Sequence, residues 1–294
     1  MRKVHFYKAR TRLGIINPLI HQKDLNVGVE DAPDAILTKE FLLNFDNPQV
    51  SEFTFSKPED IDKTKYFGVL SSELSEFKDL INKTLGTRET QVIIGGDNSI
   101  TFSSLLAVLE RVGDPNKVGY IQFDSHGEVN MYKTSLSKNF HGMYIRPFLD
   151  SFDVAKIKSL INLKLKTSNI LFIGNLELDR EEKIYFEKSK FKNINKEDLT
   201  KNRNKVLKEL EDFVKTFEYL HINFDIDVFS SKEVLATGIP GVEGFMMDEV
   251  SDLLKIVSSH PKLSLDLAEV NPSKKGGRKT ISVAQKVLET FLNH

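Results

Sequence analysis

The chain of 294 residues contains no cysteine, which removes disulfides, thiolate zinc sites and cysteine nucleophiles from its chemistry. Any metal it holds must therefore be bound by oxygen and imidazole nitrogen, a donor set suited to manganese, magnesium or iron. An excess of charge is also lacking. The formal net charge is −1, so nothing draws the chain to nucleic acid or an anionic membrane, and Lys274, Lys275, Arg278 and Lys279 read as solvated loop charge. No apolar run reaches the ~18 residues of a membrane span, and no apolar signal core follows Met1-Arg2-Lys3, so a cytoplasmic location is expected. The phenylalanines are not interleaved with basic residues as in a nucleic-acid surface, and read as core. Linkers rich in Pro, Gly or Ser are missing and no internal repeat occurs, so one domain over residues 1–294 is expected.

What is present is an alternation of apolar runs and amphipathic stretches from about Leu74 onward, the pattern of βαβ units. Strands are expected at Gln91–Ile94, Val118–Phe123, Asn169–Ile173, Tyr219–Phe224 and Lys262–Leu267. Helices are expected at Ser99–Arg111, His141–Asp150, Arg180–Lys188, Lys201–Phe217, Met246–Ser258 and Thr280–Leu292. The class implied is α/β with a mostly parallel sheet. Four of the strands run into polar residues: Gly95-Gly96-Asp97-Asn98, Asp124, Asp225 and, a little further on, Glu269. Ligands of open parallel sheets bind beyond the carboxyl ends of the strands, so these residues are expected at one edge.

Two patches carry the chemistry, Asp124-Ser125-His126-Gly127-Glu128 and Asp225-Ile226-Asp227. If the chain stays extended past each strand, side chains at i, i+2 and i+4 share a face, which groups Asp124, His126 and Glu128 and pairs Asp225 with Asp227. Four carboxylates held together repel one another unless cations neutralise them. Two divalent ions would balance the charge. Other readings exist: Asp124 with His126 as a strand-end cap, Asp225 with Asp227 as a solvated turn, Asn98 as the N-cap of the helix that follows, and His141 as a helix start.

Taken together, Gly95-Gly96-Asp97-Asn98-Ser99-Ile100-Thr101, Asp124-Ser125-His126-Gly127-Glu128, Phe224-Asp225-Ile226-Asp227 and Glu269-Val270-Asn271-Pro272 resemble the ureohydrolases, the family of arginase, agmatinase and formiminoglutamase. Members read GGDHS, DAHxD, SFDxDxxDP and VEvNP in this order, and four ordered motifs are far more specific than one. The resemblance runs from Gly28 to the last helix and is nearest to arginase. It implies a three-layer α/β/α fold and two Mn²⁺ ions that bridge a hydroxide for attack on a guanidinium carbon. Asp124 and Asp225 would bridge both ions, His126 and Asp227 would complete one site, and Asn98 and Glu128 the other. This chain departs from the pattern there, with Asn98 for histidine and Glu128 for aspartate, which weakens that site and makes Mg²⁺ an alternative to Mn²⁺.

The resemblance further implies that Asn130, Ser135 and Ser137 hold an α-carboxylate, that Asp179 and Glu182 read an α-amino group, that His141 shuttles protons, that Asp227 orients the nucleophile, and that Glu269 holds the guanidinium. The expected reaction is Mn²⁺-dependent hydrolysis of a guanidino (linear amidine) C–N bond in an arginine-like amino acid, with release of urea. Two further departures, Val228-Phe229-Ser230-Ser231 in place of DGLDP and Ile239 in place of a hydroxyl residue, support an alternative: a catalytically degenerate relative serving as a binding or regulatory protein. Hydrolysis of formiminoglutamate is a third reading. Family likeness also suggests a homo-oligomer, a trimer or hexamer, with a small-molecule partner.

Overall fold

A computed structural model of the chain describes residues 2–18 and 25–293. Its centre is an eight-stranded sheet in which every pairing is parallel. The strands are β1 (Lys3–Arg10), β2 (Gln49–Thr54), β3 (Glu89–Gly95), β4 (Val118–Phe123), β5 (Ile170–Ile173), β6 (Lys192–Ile194), β7 (Tyr219–Asp225) and β8 (Leu263–Ala268), in the spatial order β2-β1-β3-β8-β7-β4-β5-β6. Crossovers between parallel strands put helices on both faces, so the inner strands are buried on both sides and read as unbroken apolar runs.

The two faces can be separated by alternation along each strand. Val92, Ile94, Ile121, Phe123, Leu220, Ile222 and Phe224 pack on one side against helices α4 (Arg203–Thr216), α5 (Met247–Ser258) and α6 (Gly277–Leu292). On the other side Tyr7, Ile93, Val118 and Tyr120 pack against α1 (Tyr66–Thr84), α2 (Ile100–Val112) and α3 (Arg180–Ser189). The architecture is therefore three-layer α/β/α. Each fully buried Ile, Leu, Val or Phe contributes about 1.5–3 kcal/mol relative to exposure, which both layers draw on.

The α2 face of β7 and β8 is polar instead. His221, Asn223, Ser264 and Asp266 are all buried there, and Ser104 of α2 donates to Asp266 at 2.6 Å. Among the described residues no helix is long and apolar enough to cross a membrane.

The expected helix at His141–Asp150 is not formed. Two short 3₁₀ turns, Phe140–Met143 and Arg146–Phe148, take its place, because Gly142 weakens a helix and Pro147 cannot donate to one. The expected helix Lys201–Phe217 is interrupted at Asn202: Lys201 ends a separate helix, Lys196–Lys201, and α4 starts at Arg203.

Gly96, just past β3, is fixed by crowding: a Cβ there would stand 1.7 Å from the Thr11 carbonyl oxygen. Its own carbonyl accepts the Glu269 amide at 2.7 Å, tying the ends of β3 and β8 together.

Candidate metal centre

The carboxyl ends of β3, β8, β7 and β4 lie side by side at the middle of the sheet, with Asp225 level with Ala268 and Phe123 level with Phe224. Asp124 leaves β4 with its amide bonded to Ile173 O of β5 at 3.1 Å. Its carboxylate takes the His126 amide at 2.8 Å and Gln122 Nε2 at 3.1 Å. Asp225 ends β7 and takes the Asp227 amide at 2.8 Å. Convergence is thus produced by turns, a 3₁₀ turn at Ile226–Val228 and a reversal at Glu128, whose φ is +56°. The expected mechanism, an extended chain presenting alternate residues, is not what brings these groups together.

Ligand atoms of Asp124, His126 and Glu128 lie within 4.8 Å of one another, and so do those of Asp124, Asp225 and Asp227. His126 Nδ1 is 3.1 Å from Asp227 Oδ2, and Ser125 donates to Asp227 Oδ1 through both its amide, 3.0 Å, and its hydroxyl, 2.9 Å. The four acids are buried. Burial, then the charge of Asp227, pushes the Asp124 carboxyl up to about 7. Burial, then Asp124, puts those of Glu128 well above the usual carboxylate range, and burial with Asp227 does the same to Asp225. Asp227 differs: burial opposes its ionisation, but His126 overrides this and holds its pKa below the ordinary value. Burial likewise disfavours the charge on His126, and Asp227 with Asp124 overcomes it.

One imidazolium cannot balance four desolvated carboxylates, so Asp124, Glu128 and Asp225 favour their protonated forms until further positive charge arrives. Hard divalent cations fit this oxygen-rich donor set with its one imidazole.

Asn98 sits beside the acids and is not a cap. Its Nδ2 donates to Asp225 Oδ2 and its Oδ1 accepts from Asn223 Nδ2 at 3.1 Å, while Asp97 satisfies the Ser99 amide at 2.8 Å. His141 lies in the 3₁₀ turn Phe140–Met143, with Nδ1 3.2 Å from Glu269 Oε1. Burial disfavours its charge, yet the bond to Glu269 raises its pKa overall. Glu269, itself at φ +64°, also accepts from the Asn98 amide at 3.2 Å and from Asn26 Nδ2 at 3.0 Å.

Asn130, Ser135, Ser137, Asp179 and Glu182 line the same cavity of about 510 Å³ as Asn98, His126, Glu128, His141, Asp225, Asp227 and Glu269, and Ile239 forms part of its wall. Asp179 and Glu182 make a reciprocal cap on α3. Glu182 spends its oxygens on the amides of Val129 and Asp179, both at 3.2 Å, and so anchors the loop, while Asp179 accepts from Asn130 Nδ2 at 2.9 Å. Burial, then Asp179, pushes Glu182 up to about 7.

Sequence reasoning missed Gln122, Ser125, Asn223 and Asn26. Gln122 and Asn223 stand two residues before Asp124 and Asp225, on the same strand face, so alternation could have found them. Ser125 lay inside a motif, and Asn26 carried no signal.

The Arginase family profile matches residues 18–293. The chain is 27% identical over 219 residues to arginase of Bacillus subtilis (strain 168), covering 72% of each chain. Its fold superposes on the crystal structure of Entamoeba histolytica arginase in complex with L-ornithine with a TM-score of 0.83, at 22% identity and 98% coverage of both chains. Formimidoylglutamase of Bacillus subtilis gives a TM-score of 0.69 at 17% identity, over 99% of this chain and 86% of that one. With the profile spanning nearly its whole length, this chain belongs to the arginase family.

Proposed function

We propose that the protein hydrolyses the guanidinium of an arginine-like amino acid, adding water across a C–N bond to give urea and the free amine. The observation that carries this reading is one cavity in which the acid cluster and His126 face Asn130, Ser135, Ser137 and Asp179. The first group suits divalent cations, Mn²⁺ before Mg²⁺, and the second suits the carboxylate and ammonium of an amino acid. The L-ornithine bound by the Entamoeba histolytica relative agrees with such a ligand. Asp124, Asp225, His126, Asp227, Glu128 and Asn98 would hold two such ions. Bound ions supply an acidified water and neutralise developing negative charge.

The chain's own residues do the rest. Glu269, held by the Asn26 side chain and the Asn98 amide, orients the guanidinium through charge-assisted hydrogen bonds. Asp227, kept ionised by His126, accepts a proton from the attacking water. His141, made more basic by Glu269, delivers a proton to the leaving amine. Family likeness adds a cytoplasmic trimer or hexamer.

A second reading, a degenerate relative that binds without turnover, is favoured by Asn98 turning its amide nitrogen towards Asp225. The two are separated by urea release from a panel of guanidino compounds with Mn²⁺, with Mg²⁺ and without metal. Mn²⁺-dependent urea from arginine, lost in Asp225→Ala with the circular dichroism unchanged, supports hydrolysis. Silence across the panel refutes it.

A further inference from the structure

Asn98 touches the acids on one side and Asn223 on the other. Asn223 is wholly buried, donating from Nδ2 to Asn98 Oδ1 at 3.1 Å and to Thr101 Oγ1 at 2.6 Å, while its own Oδ1 is buried without a partner. Both residues depart from the family pattern, which has histidine and serine at these positions, and the two departures are in contact.

An amide carries an acceptor and a donor of nearly equal size on one planar group. Exchanging the ends of Asn98 needs no extra room, but its oxygen would then face Asp225 and its nitrogen would face Asn223. That arrangement is tolerated only if Asn223 exchanges its ends as well, so that its Oδ1 accepts from Asn98 and from the Thr101 hydroxyl. The contacts made by Asn223 are equal in number in both arrangements, and one end of its amide lacks a partner in each. What selects between them lies in the acid cluster. Facing carboxylates alone, Asn98 gains by presenting its N–H; facing a cation, it gains by presenting its oxygen.

We propose that Asn223 is the positioning residue of a paired amide switch: by exchanging donor and acceptor in step with Asn98, it lets Asn98 bind Asp225 as a donor when no ion is present and ligate a hard divalent cation through its oxygen when one is. This rests on the two-ion reading above and extends it to how an asparagine stands in for a histidine ligand. Partners of metal ligands commonly govern affinity by about 10–100-fold.

The test is Mn²⁺ binding, followed from the electron paramagnetic resonance signal of free ion, in wild type, Asn223→Ala, Asn98→Asp and the double variant. Wild type should bind two ions, and Asn223→Ala should weaken one of them about 10-fold or more while leaving the other unchanged. A carboxylate presents oxygen whichever way it is turned, so in the Asn98→Asp background Asn223→Ala should cost far less. If Asn223→Ala does not fold, Asn223→Ser carries the same comparison with a smaller loss. Equal losses in both backgrounds, or no loss, would overturn the switch while leaving the two-ion reading intact. A wild type that binds a single ion would overturn the switch, and one that binds none would remove both.

Discussion

Asp124→Asn should stabilise the ion-free protein at neutral and alkaline pH while removing its function. Asp124 is fully buried, and its carboxyl is pushed from 3.8 up to about 7 by burial and then by Asp227. A carboxyl whose pKa is higher folded than unfolded costs nothing below about pH 4, then destabilises progressively as pH rises, and the loss is complete above about pH 7. A shift of roughly three units at 1.36 kcal/mol each gives a cost of up to about 4 kcal/mol. Asparagine removes the charge but turns an N–H towards Gln122 Nε2 or the His126 amide, both of which donate to Asp124, at a cost of about 1–3 kcal/mol.

A net gain of about 2 kcal/mol remains, or about 3 °C for a chain of this size. Thermal melts in EDTA at pH 5 and pH 8 should therefore show the variant above wild type at pH 8, and no such gain at pH 5. With Mn²⁺ at about a hundred times its dissociation constant, wild type gains about 2.7 kcal/mol per ion, and the order at pH 8 should reverse. A variant that melts below wild type at pH 8 in EDTA would refute the account of the acids as mutually strained.

Two further changes probe the frame and the proton path. Gly96→Ala would force a Cβ to within 1.7 Å of the Thr11 carbonyl, and the loop must move to relieve it. Because Asn98 and the Glu269 anchor move with that loop, urea release should fall at least about tenfold, and an unaltered rate would show the crossing to be slack. His141→Asn should lower kcat by about 10²-fold or more, with partial recovery on adding imidazole. A kcat equal to wild type would remove His141 from the proton path.

The central strands were legible because burial on both faces leaves little but apolar residues, as in VIIG, VGYIQF and YLHINF. The outer ones were not. In β2 every residue is exposed or half-exposed, and β6 is three residues long with one buried, so neither offers an apolar run. β1 hides among its own charges, since Lys8 and Arg10 pair with Asp34 and Glu52 and cover the strand. Helix α1 is amphipathic, burying Tyr66, Leu70, Leu74, Phe77 and Ile81, but the alternation of apolar runs and amphipathic stretches is plain only from about Leu74, past its first two turns.

At the site, residue types announced the acids and His126, whereas their geometry depends on a left-handed residue at Glu128 and on turns that alternation does not describe. Asn98 shows the limit most clearly. Local sequence makes it a cap, and only the distant partners Asp225 and Asn223 draw its side chain away.

The strand order has a consequence for how the chain reaches this state. β8, the last strand made, lies between β3 and β7, so the sheet stays in two pieces until residues 263–268 insert. The groups that meet across that seam, Asn98 with Asp225 and His141 with Glu269, are 127 and 128 positions apart. Such distant pairings form late, after long loops have closed. Paired β4 and β7 can bring Asp124, Glu128, Asp225 and Asp227 together before that insertion, but Asn98 and Glu269 join them only when the final strand closes the sheet. The contact between Asn98 and Asp225, which spans the seam, is therefore a mark of the completed sheet.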